Sequence, residues 1–389
     1  MHCKPSDDKS WSSAVVATVC LVAIVSLVGG KFASDGIGAC GQKLEPSAKA
    51  GRSHLPWIEC ASPRHDGRAV VLSVARPVSG GALITPPGSA ERTLWLLDVQ
   101  SRKVRRLQAH PAPMTEISWR QHTDQIAFAT QRWNIEILDV TSSARQTIRS
   151  DPKESMFMWP AWDPSGERVS FQGNVFGDRY TDRVLFSARP GGPAKLEADD
   201  LSTPLAWCWD PHSKKLLYVP TRRSRDGQSS RRTAHVFVPD WREETEVLKW
   251  SPDGAFLACV RARTGDLDFS LVILDRALKK RVFESAFPLS SRSVVWAPDS
   301  RTVLVTAAGE RNSAATVRAV DLPSGRVRVL GQPTLADASP QGWTTGTHGE
   351  NRILYLDRDR TTLLETEGLT GDVHRLAALD EGGELALLR

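Results

Sequence analysis

The chain has 389 residues, a net charge of +5 and 24% charged side chains. A basic excess this small, scattered as arginine and without an accompanying motif, argues against nucleic-acid binding. Six cysteines (Cys3, Cys20, Cys40, Cys60, Cys208, Cys259) include no C-x-x-C pair, which removes the thioredoxin-like and zinc-knuckle classes.

Residues 1–11 are short and polar. Residues 12–30 carry the almost unbroken apolar run AVVATVCLVAIVSLV, close to the length a bilayer-spanning helix needs. Three fates are open to it: a retained signal anchor, cleavage after Gly30 or Ala39, or lipid attachment at Cys40 in Ile37-Gly38-Ala39-Cys40. All three place the rest of the chain outside the cytoplasm, in a bacterial periplasm or at a cell surface. Lys4 and Lys9 before the run balance Lys31 and Lys43 after it, so charge sets no orientation. Residues 31–56, rich in Gly, Ser, Ala and Lys, read as a flexible tether. In an oxidising compartment a Cys40–Cys60 disulfide is an alternative to free thiols.

From Trp57 onward a repeat takes over. Trp250-Ser251-Pro252-Asp253-Gly254 reads as a strand end and a tight turn before the apolar run that starts at Ala255. Pro252 presets φ, Asp253 bonds its own backbone and Gly254 accepts positive φ. Related turns follow Trp162, Trp209 and Trp296, with looser copies at Trp119 and Trp343; the six tryptophans are 43, 47, 41, 46 and 47 residues apart. A period of this size predicts an all-β fold, a β-propeller over residues 57–389 with one four-stranded blade per repeat. A degenerate copy before His65-Asp66-Gly67 brings the blades to seven, with six as the alternative count. Third strands ending in Asp98, Asp139, Asp275 and Asp321 each open a turn into the fourth strand. The fourth blade has little room for a last strand. The C-terminal run Glu384-Leu385-Ala386-Leu387-Leu388 is expected to close the ring by pairing with the first blade.

The Trp-Ser-Pro-Asp-Gly turn, the short apolar strand after it and the strand ending in Leu-Asp resemble the TolB-like propeller repeat, best at 250–274, 162–186 and 296–321. WD-repeat proteins are a neighbouring family that only the second blade, with His110 before Trp119, is similar to. The resemblance implies a rigid interaction platform, in a group often found at the bacterial envelope. It also touches the propellers of prolyl oligopeptidase-type enzymes, but no nucleophile elbow G-x-S-x-G occurs.

No histidine pair has zinc-ligand spacing, and Asp266/Asp268 and Asp357/Asp359 lack the further oxygens of a calcium loop, so neither metal nor cofactor is expected. Two loop features stand out. Arg222, Arg223, Arg225, Arg231 and Arg232 crowd the loop between the second (B) and third (C) strands of the fourth blade, a grip for anionic lipid, cell-wall polymer or an acidic protein face, or simply a solvated loop. Trp133, Phe176, Arg179 and Tyr180 pair aromatics with arginine as binding hot spots do, or fold back as caps. The six repeat tryptophans are structural. Because B–C loops vary while first-to-second (A–B) turns are uniform, the B–C face is the expected recognition surface. The chain reads as a membrane-anchored, non-enzymatic scaffold binding another protein; the rival is a propeller hydrolase or lyase acting on peptide or saccharide at the central channel.

Overall fold

A computed structural model describes residues 55–77, 90–112, 116–150, 155–176, 181–199, 201, 205–220, 235–236, 245–262, 269–309, 313–322, 324–330, 335, 337–345, 349–369 and 371–388. The apolar 12–30 segment and Cys40 lie outside them. Among the described residues no helix is long and apolar enough to cross a membrane.

Among the described residues all the regular elements are strands. The first sheet is β1 (Trp57–Pro63), β2 (Ala69–Pro77), β3 (Ala90–Asp98) and β4 (Lys103–Leu107). The second is β5 (Ser118–Trp119), β6 (Gln125–Ala129), β7 (Ile135–Asp139) and β8 (Arg145–Ile148). The third is β9 (Ser155–Trp162), β10 (Val169–Phe176), β11 (Thr181–Ala188) and β12 (Lys195–Ala198). The fourth holds β13 (Trp207–Trp209), β14 (Leu216–Tyr218) and β15 (His235–Val236). Next come β16 (Thr245–Trp250), β17 (Phe256–Ala262), β18 (Phe269–Asp275) and β19 (Arg281–Glu284), then β20 (Leu289–Trp296), β21 (Thr302–Ala307), β22 (Thr316–Asp321) and β23 (Arg326–Val329). Last are β24 (Ser339–Thr345), β25 (Asn351–Leu356), β26 (Thr362–Glu367), β27 (Val373–Leu379) and β28 (Leu385–Leu387).

Strands pair antiparallel in chain order within each group, with two irregularities. In the short fourth sheet β15 runs parallel to β14. A single Phe269↔Leu289 pairing joins β18 to β20, so two groups form one continuous sheet.

Runs such as Val70-Val71-Leu72 are apolar on both faces of the pleat, so each sheet needs a neighbour on either side. Seven apolar clusters supply them, one between each group of strands and the next. One of them joins Ile58, Leu72 and Leu97 of the first sheet to Leu354, Leu363 and Leu385 of the last, so the series is cyclic. First strands meet along the inside of the ring: β1 touches β5 and β24, β5 touches β9, β16 touches β13 and β20, and β20 touches β24.

The A–B turns follow one plan. In Asp163–Arg168, Ser251–Phe256 and Ala297–Thr302 the first residue's N–H donates to the last residue's carbonyl. Gly166, Gly254 and Ser300 take φ of +70°, +63° and +59°. Glycine at 254 is required twice over, because a Cβ there would stand 2.7 Å from Pro211 Cγ of the neighbouring turn. The strand-ending aspartates act as expected. Asp98 accepts from the Ser101 N–H at 2.7 Å, Asp139 from Ser142 at 2.8 Å and Asp275 from Lys280 at 3.1 Å.

Trp119, Trp162 and Trp296 are buried, and Trp209, Trp250 and Trp343 are half-buried. Trp119 Nε1 donates to Ser62 O at 2.8 Å and Trp296 Nε1 to Lys249 O at 3.0 Å, tying each inner strand to the one before it.

The expected pairing of the C-terminal run with the first blade is corrected. β28 pairs with β27, Leu379 opposite Leu385 and Ala377 opposite Leu387. The Asp380–Glu384 link makes a local hairpin, with Gly383 at φ +81° and the Glu384 N–H donating to Asp380 at 2.8 Å. A connection that tight leaves no chain to reach another sheet.

Trp296→Ala should cost about 3–5 kcal/mol in urea unfolding and Trp250→Ala less, because only the first is fully enclosed. A loss below about 1 kcal/mol at Trp296 would contradict its role between sheets.

Candidate functional site

Two faces of the ring carry polar groupings. At the A–B face, the turns of the first two sheets enclose a cleft of about 330 Å³ lined by Arg64, His65, Asp66, His122, Thr123 and Asp124. Arg64 organises it. Its Nε and Nη2 donate to the two Asp66 oxygens at 2.9 and 2.8 Å, its Nη1 reaches Asp124, and its guanidinium lies 5.9 Å from the centre of the Trp119 ring. Burial works to raise the Asp66 carboxyl, but the Arg64 hydrogen bonds and the Arg68 N–H hold it below the ordinary carboxylate range. His65 Nε2 faces Trp119 O at 3.4 Å, which makes that nitrogen the donor and leaves Nδ1 as an acceptor. Loss of hydration on burial, with the nearby His122 adding to it, outweighs the Trp119 hydrogen bond and lowers the His65 pKa, although one side of the residue remains open to water.

The sequence separates these histidines widely. They meet because each occupies an A–B turn of an adjacent sheet, and aligning the repeats would have brought them together. Among the described residues no three His, Cys, Asp or Glu side chains are placed to hold a metal ion.

The opposite face, where B–C loops and the links between sheets emerge, carries two ion pairs, the first of them buried. Arg92, 2% exposed, donates from Nε to Glu59 at 3.0 Å and from Nη1 to Ala90 O at 3.0 Å. His110 Nδ1 donates to Arg92 O at 3.3 Å. Across the ring, Arg292 lies 3.4 Å from Glu246 and over the Phe269 ring at 5.1 Å. Isolated Arg and Glu positions give no sequence signal for such pairs, which arise only when separate strands are brought side by side.

Of the loop candidates, Trp133 is held at φ +60°, rare for so large a side chain. Its N–H donates to Thr130 O at 2.8 Å and its carbonyl accepts from Phe157 N at 2.9 Å. The half-buried ring packs on the cluster that contains Phe157, Trp162 and Phe171, which closes the gap between second and third sheets. Phe176 is the last residue of β10, opposite Thr181. Arg179, Tyr180, Arg222, Arg223, Arg225, Arg231 and Arg232 lie outside the described residues.

No protein-family model matches the chain, and no curated protein sequence matches it. Solved structures do. A puromycin hydrolase complexed with PGG is 16% identical with a TM-score of 0.57, over 86% of this chain and 58% of that one. An oligogalacturonate lyase in complex with manganese is 12% identical with a TM-score of 0.53, over 85% of this chain and 90% of that one. A protein assigned as TolB from Agrobacterium tumefaciens is 11% identical with a TM-score of 0.44, over 74% of this chain and 89% of that one. At such identities the first two likenesses are of fold, and that fold is a β-propeller.

The cleft makes a pH prediction. A His with a lowered folded pKa favours the neutral state, so its contribution is intact above the ordinary value and is lost as pH falls below about 6.5. His65→Gln keeps a donor toward Trp119 O and removes that titration. The fall in urea midpoint between about pH 7.5 and about pH 5.5 should therefore shrink slightly in the variant. An equal or larger fall would remove His65 from the acid response.

Proposed function

We propose that this chain is a seven-bladed β-propeller, anchored by its 12–30 segment as a single-pass membrane protein and held outside the cytoplasm, that serves as a protein-binding or envelope scaffold. The partner docks on the B–C face. The observation that carries this reading is the contrast between the two kinds of connection. In the first six groups of strands the A–B turns share one length and one hydrogen-bond plan, whereas B–C connections range in length from the tight Asp357–Thr361 turn, which uses that same plan, to the long 78–89 segment. A rigid frame with variable loops on one side is the arrangement binding proteins use. The inner strands agree with it. Among the described residues they carry Ser62, Ser118, Ser291, Ser293, Ser339 and Gln341 beside isolated ion pairs. The cyclic series of apolar clusters supports the count of seven.

The full chain, crosslinked in membranes of its native host and purified for mass spectrometry, tests the proposal. One protein recovered with the intact chain, and lost when loops 177–180 and 221–234 are trimmed, is the expected result. Recovery indifferent to trimming would sink the B–C face and favour the hydrolase or lyase reading. Removing residues 1–30 should move the protein from the membrane to the soluble fraction. Changing Arg222, Arg223, Arg225, Arg231 and Arg232 to Ser should abolish salt-sensitive binding to anionic liposomes if lipid is what they grip.

A further inference from the structure

The last strand of each group lies at the outer rim of the ring, and β23 differs from the others there. β4, β8, β12 and β28 each bury at least one residue, and β19 keeps Val282 and Phe283 half-buried. In β23 all four residues, Arg326–Val329, are exposed. Among the described residues it ends its sheet, with β22 on one side and no strand on the other. Val327 is 37% and Val329 53% exposed, and among the described residues only Leu55 and Leu196 are large apolar side chains as open to water. Two of them two positions apart on one strand make a stripe, not a scatter.

Register decides what this open edge offers. Across β22 and β23, Arg318 faces Val329, Ala319 faces Arg328, Val320 faces Val327 and Asp321 faces Arg326. The same register sets Leu330 against Val317, and the Leu330 N–H donates to Val317 O at 2.9 Å. Hydrogen-bonded and unbonded pairs alternate along an antiparallel ladder. Arg326 and Arg328 therefore turn their backbone groups toward β22, and Val327 and Val329 turn theirs outward. The edge offers two N–H donors and two carbonyl acceptors at the spacing an added strand uses. The side chains alternate too, with Val327 and Val329 on one face of the sheet and Arg326 and Arg328 on the other.

Charge selects the occupant. A second copy laid antiparallel on this edge would set arginine beside arginine, and laid parallel it would set arginine beside valine. Neither pairing is favourable, and charged edges of this kind are how natural sheets avoid pairing with themselves. The same arginines attract carboxylates. Asp321 stands opposite Arg326, but Arg328 has only Ala319 opposite it. On the valine face, Arg318 is engaged over the Phe287 ring at 4.2 Å.

We propose that β23 is a docking edge for an extended segment of a partner protein in which apolar and acidic residues alternate. The segment adds a strand through the outward backbone groups of Val327 and Val329. Its apolar residues lie beside those valines and its carboxylates beside Arg326 and Arg328. The edge is on the outer rim, so it stands apart from the B–C face and neither proposal depends on the other.

Fluorescence anisotropy with the full chain in detergent tests this, the probe being a labelled hexapeptide of alternating glutamate and valine. Three control peptides replace glutamate by lysine, separate the same residues into a glutamate block and a valine block, or carry N-methyl groups on every amide. The alternating acidic peptide should bind, and each control should bind at least about tenfold more weakly. An R328E variant, changed at an exposed position, should keep the melting temperature of the parent. It should lose about fivefold or more toward the glutamate peptide and gain toward the lysine peptide. Trimming the B–C loops should leave both affinities unchanged, which separates this edge from that face. Equal binding of the N-methylated peptide would overturn strand addition. Unchanged affinity in R328E, or no binding of the glutamate peptide, would overturn the site. Dimerisation of the chain that competes with the peptide would give the edge to a second copy and overturn this occupant.

Discussion

Everything in this fold depends on the contact between the first sheet and the last. Each sheet is apolar on both faces, so an open row would leave two such faces in water, and only a ring removes both. Ring closure here is made by side chains and turns. Leu72 and Leu97 pack against Leu354 and Leu363, while Arg360 donates from Nε to Ile58 O at 2.9 Å and its own carbonyl accepts from Ile58 N at 2.7 Å. Gln341 accepts from the Ala61 N–H at 3.2 Å, and the Thr345 N–H donates to Gly67 O at 3.2 Å. Among the described residues no strand is shared, since β28 completes its own sheet.

The seam also concentrates charge. Arg102 and Arg106 of the first sheet reach Glu365 and Glu384 of the last, each at 3.8 Å. Pairs at that distance whose arginine is half in water add little stability. They do gather arginines where the apolar packing gives way to polar groups. The same junction therefore seals the ring inside and gathers charge outside.

Much of the architecture was legible in the sequence because it rests on local chemistry repeated many times. The tryptophan spacing, the Pro-Asp-Gly turns and the aspartates that end third strands are short-range signals, and each is found doing what it implies. Trp343 shows where the signal weakens: it stands two residues before the end of β24, whereas Trp119, Trp162, Trp209, Trp250 and Trp296 each end their strands. The closing strand was misjudged for a different reason. Apolar residues at Leu385 and Leu387 require a partner strand, but only the short Asp380–Glu384 hairpin says which one. The sites were less legible still. His65 with His122, Arg92 with Glu59, and Glu365 with Arg102 are meetings between distant segments, and no single segment carries a mark of them.

Closure without a shared strand has a consequence for how the molecule is made. The Arg360–Ile58 clasp joins residues 302 positions apart, so almost the whole chain must leave the ribosome before it can form. Until then the outer face of the first sheet, with Ile58, Leu72, Trp95 and Leu97, has no cover. The nascent chain thus carries its most adhesive surface for longest, and synthesis of the last sheet sets how long a chaperone must guard it.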